Sequence, residues 1–105
     1  MVSSNKISVV TVSYNMERYI EQTIRSVVNQ DYSNIEYIVV DGASTDRTVE
    51  IARRYEDKIS TLISEPDDSH FDAMQKGLSI ATGDVLAWLN ADDVYYPWTL
   101  SIVGV

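Results

Sequence analysis

Short apolar stretches alternate with stretches of helical period along most of the chain. The short stretches are β-branched or continuously apolar, a pattern typical of strands buried in a sheet. They predict four strands, at 7–13, 35–40, 59–64 and 84–89.

The segments between these strands predict helices. Ile20, Ile24, Val27 and Val28 mark one face of a helix that begins near Asn15 and ends near Gln30. The second helix, with Ser44 or Thr45 as N-cap and Val49, Ala52 and Tyr55 facing inward, ends near Glu56. The third carries a stripe of Phe71, Met74, Leu78 and Ala81, with Gly83 as its C′ residue.

Strands separated by helices predict an α/β fold with a mostly parallel sheet flanked by helices. Three segments are apolar enough for strands buried on both faces: Val9-Val10, Ile38-Val39-Val40 and Val85 to Leu89. With the strand order 3-2-1-4, ligands would bind between strands one and four, where the order reverses. The residues at those two carboxyl ends are Ser13-Tyr14-Asn15 and Asn90-Ala91-Asp92-Asp93.

Composition narrows the class of protein. The 105 residues are 45% hydrophobic, enough for one globular domain. The formal net charge is −8, which disfavours binding to nucleic acids and anionic membranes. There is no cysteine for disulfide or thiolate chemistry. Neither a signal peptide nor a long apolar run is visible, so we expect a cytoplasmic domain.

Asp92 and Asp93 are the leading metal candidates. Carboxylate pairs of this kind suit Mg²⁺ or Mn²⁺, which leave coordination positions open for phosphate oxygens. The alternative is a solvated acidic turn, and the position at the end of strand four favours the metal site. The four glycines form neither G-x-G-x-x-G nor a Walker loop. A bound diphosphate would therefore be neutralised by the cation.

For the other candidate residues, the sequence is compatible with both a ligand-binding role and a structural role. Asp41 could accept hydrogen bonds from a base or ribose, or simply form a turn before Gly42. Tyr14 could stack on a base or belong to the core. Lys76 and Arg47 could reach a phosphate or be exposed helix residues.

Several ordered segments resemble one family. The chain is similar to the N-terminal, nucleotide-sugar-binding portion of family 2 glycosyltransferases, which have the Rossmann-like GT-A fold. The resemblance covers Ile7 to Trp98 and rests on segments 9–15, 26–30, 36–46, 64–68, 71–77, 81–84 and 89–93.

The resemblance implies roles for particular residues. Thr11, Tyr14 and Asn15 would lie near the donor nucleotide, with Asp41 contacting the base. Asp92 and Asp93 match an acidic motif that contacts the ribose and the metal–diphosphate. Asp72 and Lys76 would lie on a segment that closes over the donor.

The chain also departs from the family pattern. Asn90 stands where many members have Asp, and His70 and Gln75 replace commoner residues. The family's catalytic base is a carboxylate that we expect beyond Val105, so the catalytic residue is not identified.

The resulting hypothesis is a single domain, 1–105, that supplies the donor and metal site of an inverting glycosyltransferase. The full protein would transfer a sugar from a nucleoside diphosphate sugar, with a UDP-sugar as the expected donor, to a glycan or lipid-linked acceptor. Mn²⁺ or Mg²⁺ would be the cofactor, and the inner face of the membrane is one expected location. The apolar end of 97–105 is the reason to expect truncation, the alternative being a short docked tail.

Two alternatives belong to other classes. A phosphorylated receiver domain would need an acidic pair after strand one, where this chain has Ser13-Tyr14-Asn15. A non-catalytic interaction module could self-associate through an uncovered segment, Leu100 to Val105.

Overall fold

The chain folds around a four-stranded sheet in a computed structural model that describes residues 5–97 and 99–103. The strands are β1 (Ile7–Ser13), β2 (Ile35–Asp41), β3 (Thr61–Ser64) and β4 (Val85–Trp88). All three strand pairings are parallel, and the strand order is β3-β2-β1-β4. The predicted α/β class and the order 3-2-1-4 are therefore confirmed.

The register brings the carboxyl ends of the strands to one edge of the sheet. Ser13 pairs with Asp41, and Asp41 pairs with Ser64. On the other side of β1, the amide of Leu89 donates to the carbonyl of Val10 at 3.0 Å. The exits of β1 and β4 are therefore neighbours, as the strand order requires.

Each face of the sheet has its own core because successive side chains of a strand point to opposite faces. On one face, Ile7, Val9 and Val39 pack with α1 (Ile20–Val28) and α2 (Thr48–Arg53). On the other face, Val10 and Val12 of β1, together with Ile38 and Val40 of β2, pack on Ala73 and Met74 of α3 (His70–Ile80).

The first two helices begin later than the sequence predicted. Asn15 has a positive φ of 52°, which interrupts a helix there, and α1 starts at Ile20. Ser44 and Thr45 do not cap α2: the Ser44 hydroxyl donates to Asp41, and α2 starts only at Thr48.

The predicted stripe on α3 is wrong in two positions. Phe71 is 69% exposed and Leu78 is 38% exposed, whereas the buried residues are Ala73, Met74 and Gly77. Small residues allow the helix to lie close to β1, so its contact face is rotated from the stripe of large side chains. Gly83 has no positive φ, and the C-cap of α3 is Ala81.

The sequence predicts that β4 is buried on both faces, and this prediction is wrong for one face. Leu86 and Trp88 are each 52% exposed. The reason is topological, because β4 is the edge strand of this sheet and α3 packs on β1 and β2.

The segment near the carboxyl end forms a short helix, α4 (Thr99–Val103). Leu100 is 1% exposed and belongs to the core beside α1. The prediction that Leu100 is part of an uncovered surface is therefore wrong. Residues 104 and 105, and the side chains of 102 and 103, lie outside the described structure. No helix within the described ranges has the length and apolar character needed to cross a membrane.

Candidate functional site: a cleft at the strand exits

A cleft of about 390 Å³ opens where β1 and β2 end. Its walls come from the end of β1, the turn after β2 and the segment that joins β3 to α3. The lining residues are Val12, Ser13, Tyr14, Gly42, Pro66, Asp67, Asp68, Ser69, His70 and Ala73. Its size falls within the range of small-molecule sites. It lies at the carboxyl ends of the strands, but on the β2 side of β1 rather than between β1 and β4 as the sequence predicted.

A larger depression of about 490 Å³ lies along the outer face of α1, between Arg18 and Tyr95. It adjoins the segment that follows the acidic turn, because Tyr95 lines it and the Tyr95 amide donates to the Ser26 hydroxyl of α1. We assign the candidate site to the smaller cleft because the strand topology converges there.

Tyr14 lines the cleft, whereas Thr11 does not. Tyr14 is 51% exposed and therefore open to a ligand. Thr11 is fully buried, and its hydroxyl shares a 2.9 Å hydrogen bond with the Tyr37 hydroxyl. Burial raises the pKa of the Tyr37 phenol, which keeps this pair neutral. Side chains alternate along β1, so Val12 lines the cleft instead of Thr11.

Asn15 joins two loops instead of facing the cleft. Its Oδ1 accepts from the Thr45 amide at 2.8 Å, and its own amide donates to the Ser44 hydroxyl at 2.9 Å. The loop after β1 is therefore fixed to the loop after β2, which positions the neighbouring Tyr14.

Asp41 lies beneath the cleft and is 1% exposed. Its Oδ1 accepts from the hydroxyls of Ser13 (2.8 Å) and Ser44 (2.5 Å). Its Oδ2 accepts from the Ser44 amide (2.8 Å) and the Ser64 hydroxyl (3.0 Å). This geometry gives Asp41 a structural role at the strand exits and does not support the predicted contact with a base.

Lys76 and Asp72 stabilise the wall formed by residues 65–69. The Lys76 ammonium lies 3.2 Å from the Glu65 carboxylate and 3.8 Å from that of Asp72, and it donates to the Pro66 carbonyl. Desolvation acts to lower the pKa of Lys76, but the hydrogen bond and charge of Glu65 and the charges of Asp72 and Asp67 raise it overall. The lysine therefore stays charged and holds the wall to α3.

Asp72 also belongs to the N-terminal cap of α3. Ser69 is the N-cap, and its hydroxyl accepts from the Asp72 amide at 3.1 Å. In return, the Asp72 carboxylate accepts from the Asp68 amide at 3.3 Å. Neither Asp72 nor Lys76 lines the cleft, and both stabilise its wall. Their contact with a donor stays a prediction.

The acidic pair follows β4 in a turn that is anchored to α1. The Asp93 amide donates to the Asn90 carbonyl at 3.0 Å. The buried Thr23 hydroxyl contacts the carbonyls of Ala91 at 2.9 Å and Asp93 at 2.6 Å. This anchoring fixes the turn, while the Asp92 and Asp93 side chains are exposed.

The donor set at this turn fits a hard divalent cation that completes its coordination with ligand oxygens and water. Residues 5–97 and 99–103 contain no group of three or more His, Cys, Asp or Glu that could hold a metal. Mg²⁺ sites of the phosphate-binding kind need only one or two carboxylates. Asn90, two residues before Asp92, has a buried Oδ1 with no hydrogen-bond partner within the described structure. This atom is a third oxygen of the type these cations prefer.

Sequence reasoning missed the part of the site that follows β3. Asp67 and Asp68, which follow β3, line the cleft together with Gly42, which follows β2, and the sequence analysis predicts no ligand role for these three residues. The signal was available, because a third parallel strand must also end at this edge of the sheet.

Comparison with known proteins identifies the family. A model of glycosyl transferase family 2 matches residues 8–103. The chain belongs to this family. The match leaves the receiver-domain alternative without support and confirms the resemblance inferred from the ordered motifs.

Named relatives and solved structures agree with this assignment. The putative teichuronic acid biosynthesis glycosyltransferase TuaG of Bacillus subtilis is 39% identical over 90 residues, covering 83% of this chain and 36% of TuaG. The structure of S. aureus TarS 1–349 in complex with UDP-GlcNAc superposes with a TM-score of 0.87 at 28% identity, covering 93% of this chain and 30% of that one. The mannosyltransferase PcManGT of Pyrobaculum calidifontis, in complex with GDP-Man and Mn²⁺, gives a TM-score of 0.81 at 28% identity. That match covers 90% of this chain and 29% of PcManGT.

The chain spans about a third of the length of the curated relatives it matches. The family match therefore concerns the part of these relatives that corresponds to the sheet and its strand exits.

Proposed function

We propose that this chain is the donor-binding part of an inverting, metal-dependent glycosyltransferase. The donor is a nucleoside diphosphate sugar, with a UDP-sugar as the first candidate. The adjacency of the β1 and β4 exits is the main support, because it sets an open aromatic and an acidic turn at one edge of the sheet. TarS with UDP-GlcNAc and PcManGT with GDP-Man and Mn²⁺ support the same ligand class.

In this proposal, the two parts of the site bind different parts of the donor. Tyr14 stacks on the base in the cleft after β1 and β2. Asp92 and Asp93, together with Asn90 Oδ1, hold a divalent cation whose other positions are open to the diphosphate. When bound, the cation supplies positive charge that stabilises the leaving diphosphate.

A cation is also required by the charge of the protein. Seven of the sixteen acidic residues lie between Glu65 and Asp93, where Lys76 is the only lysine or arginine. The Lys76 ammonium is already engaged by Glu65, Asp72 and the Pro66 carbonyl. A diphosphate would therefore be repelled unless a cation accompanied it.

Transfer requires an acceptor and a base in the full protein. The acceptor hydroxyl of a glycan or lipid-linked sugar attacks the anomeric carbon as the bond to the diphosphate breaks, which inverts that carbon. A carboxylate expected beyond residue 105 takes the hydroxyl proton. The relationship to TuaG, a putative teichuronic acid biosynthesis glycosyltransferase, supports a role in polysaccharide synthesis. The inner face of the membrane stays the expected location of the full protein.

The proposal is tested by calorimetric titration of the 105-residue chain with UDP, with and without Mn²⁺. We expect Mn²⁺ to tighten UDP binding by about tenfold or more. The double variant Asp92→Ala/Asp93→Ala should lose this gain because it removes both carboxylates.

The matched control is Glu56→Ala/Asp57→Ala. It removes an adjacent, exposed acidic pair from the connection that precedes β3, at the opposite edge of the sheet. Absent UDP binding, binding that ignores Mn²⁺, or equal losses in the two double variants would contradict the proposal.

A further inference from the structure

The carboxylate available to a base in the cleft is that of Asp67, not Asp41. All four hydrogen bonds to Asp41 come from the protein's own groups, on Ser13, Ser44 and Ser64. A base could reach Asp41 only by displacing these donors from a buried site, which is costly. Asp41 is also absent from the cleft wall.

Asp67 lines the cleft and is free to accept. No residue in the described ranges donates a hydrogen bond to its side chain; the nearby Lys76 ammonium bonds instead to Glu65 and the Pro66 carbonyl. A half-buried carboxylate without donors is unfavourable unless a ligand or water supplies them.

Gly42 makes room for this carboxylate. A Cβ at Gly42 would lie 3.0 Å from Asp67 Oδ2 and 3.2 Å from Oδ1. Any other residue would therefore push against Asp67 and change where the carboxylate lies. Because Gly42 has no positive φ, the lack of a side chain matters here for space rather than for backbone conformation.

A carboxylate accepts hydrogen bonds and donates none, so it distinguishes between bases. Uracil and guanine present a ring N–H on their pairing edge, at N3 and N1 respectively. Cytosine and adenine present a lone pair at the corresponding nitrogen, which a carboxylate repels, so it can accept only from the exocyclic amino group of these two bases.

We infer that Asp67 recognises the base of the donor nucleotide and selects uracil or guanine against cytosine or adenine. The inference rests on the proposed function and adds the residue that determines base specificity. Tyr14, in the same cleft, supplies a stacking face that all bases share, so it contributes affinity without selectivity.

The test compares dissociation constants at one fixed Mn²⁺ concentration, for UDP against CDP and for GDP against ADP. We expect the wild-type chain to prefer UDP over CDP, or GDP over ADP, by about tenfold or more. Asp67→Asn should bring that ratio close to one, because its amide can both accept from an N–H and donate to a ring nitrogen.

Two further variants separate base recognition from other effects. Asp57→Asn makes the same change of charge on an exposed residue far from the cleft and should leave the ratio unchanged. Gly42→Ala should lower the ratio without changing charge, because its Cβ displaces the Asp67 carboxylate. Circular dichroism confirms that each variant is folded.

The outcomes distinguish this inference from the function on which it rests. If the wild-type chain binds no nucleoside diphosphate with Mn²⁺, the proposed function fails and the inference fails with it. If UDP or GDP binds but the wild type shows no preference, or Asp67→Asn keeps the wild-type ratio, only the assignment of Asp67 fails.

Discussion

Three serines from separate segments donate to one buried carboxylate at the strand exits. Ser13 ends β1, Ser44 lies in the loop after β2, and Ser64 ends β3. Asp41 thus bonds all three segments next to the cleft. In the sequence, an Asp before a Gly indicates a turn or an exposed ligand, and neither interpretation includes this role. The buried structural role of Asp41 is visible only when the three serines are seen to meet at its carboxylate.

We predict that Asp41→Asn destabilises the fold. An amide nitrogen cannot accept, so one of the two pairs of donors loses its acceptor, the serine hydroxyls there have to turn to accept from the amide, and the bonds to a charged acceptor are lost. The expected loss in the free energy of unfolding is about 2–3 kcal/mol, because hydrogen bonds to charged groups are the stronger kind. Urea denaturation monitored by circular dichroism measures it.

Asp57→Asn is the control for this variant, since an exposed substitution usually changes stability by less than about 0.5 kcal/mol. Equal stability of Asp41→Asn and the control would show that the serine network contributes nothing to the fold.

At the scale of elements, the position of α3 is set by small residues. Gly77 faces Val10 of β1, and a Cβ at Gly77 would lie 2.4 Å from Val10 Cγ1. The helix can therefore approach the sheet only because position 77 has no side chain. This contact also fixes the start of α3, where Ser69, His70 and Ala73 line the cleft.

We predict that Gly77→Ala destabilises the protein despite the better helix propensity of alanine. The propensity gain of about 1 kcal/mol is smaller than the upper range of overpacking costs, and a net loss of about 1–2 kcal/mol is expected. Thermal unfolding of the wild type, Gly77→Ala, Val10→Ala and the double variant measures the coupling between the two sites.

In the double variant, Val10→Ala removes the clashing methyl groups, so the loss caused by Gly77→Ala should shrink. Ser79→Ala, an exposed change on the same helix, should be close to neutral. Strict additivity of the two substitutions would contradict the proposed close contact.

At the scale of the whole molecule, Glu36 connects parts of the chain that are far apart in sequence. Its Oε1 accepts from the Ser8 hydroxyl at 2.7 Å and the Thr82 amide at 2.8 Å. β2 is thereby bonded to β1 and to the loop before β4. The Thr82 amide is the main reason that the pKa of Glu36 lies below its ordinary value of 4.5, with Ser8 and Lys6 adding to the effect against desolvation.

We predict that this carboxylate contributes to the loss of stability in acid. A carboxyl whose folded pKa is lowered stabilises the fold above its unfolded pKa, and this contribution disappears as the pH falls through the folded value. The thermal midpoint of the wild type should therefore fall as the pH drops below about 4.5.

Glu36→Gln keeps an acceptor oxygen but has no charge to titrate. Its thermal midpoint should lie below that of the wild type at neutral pH and fall less steeply over the same pH range, so that the two proteins converge in acid. Glu56→Gln, an exposed change, should follow the wild-type curve. Identical slopes for Glu36→Gln and the wild type would refute the linkage.

By itself, the sequence determined the elements and their order. β1 is found at Ile7–Ser13 as predicted, because an apolar β-branched run is a local property of the chain. The alternation of strands and helices implied the parallel sheet, and the ordered motifs indicated the family that the comparison confirmed.

Only the tertiary structure decided which side chains face the cleft. Val12 and Thr11 are adjacent, yet one lines the cleft and the other is bonded to Tyr37 in the core, because the pleat sends neighbours to opposite faces. Asp41 and Asp67 are both acids that follow strands. The first is surrounded by donors from three segments and the second faces open space beside Gly42. These differences depend on contacts between residues distant in sequence, which local patterns do not encode.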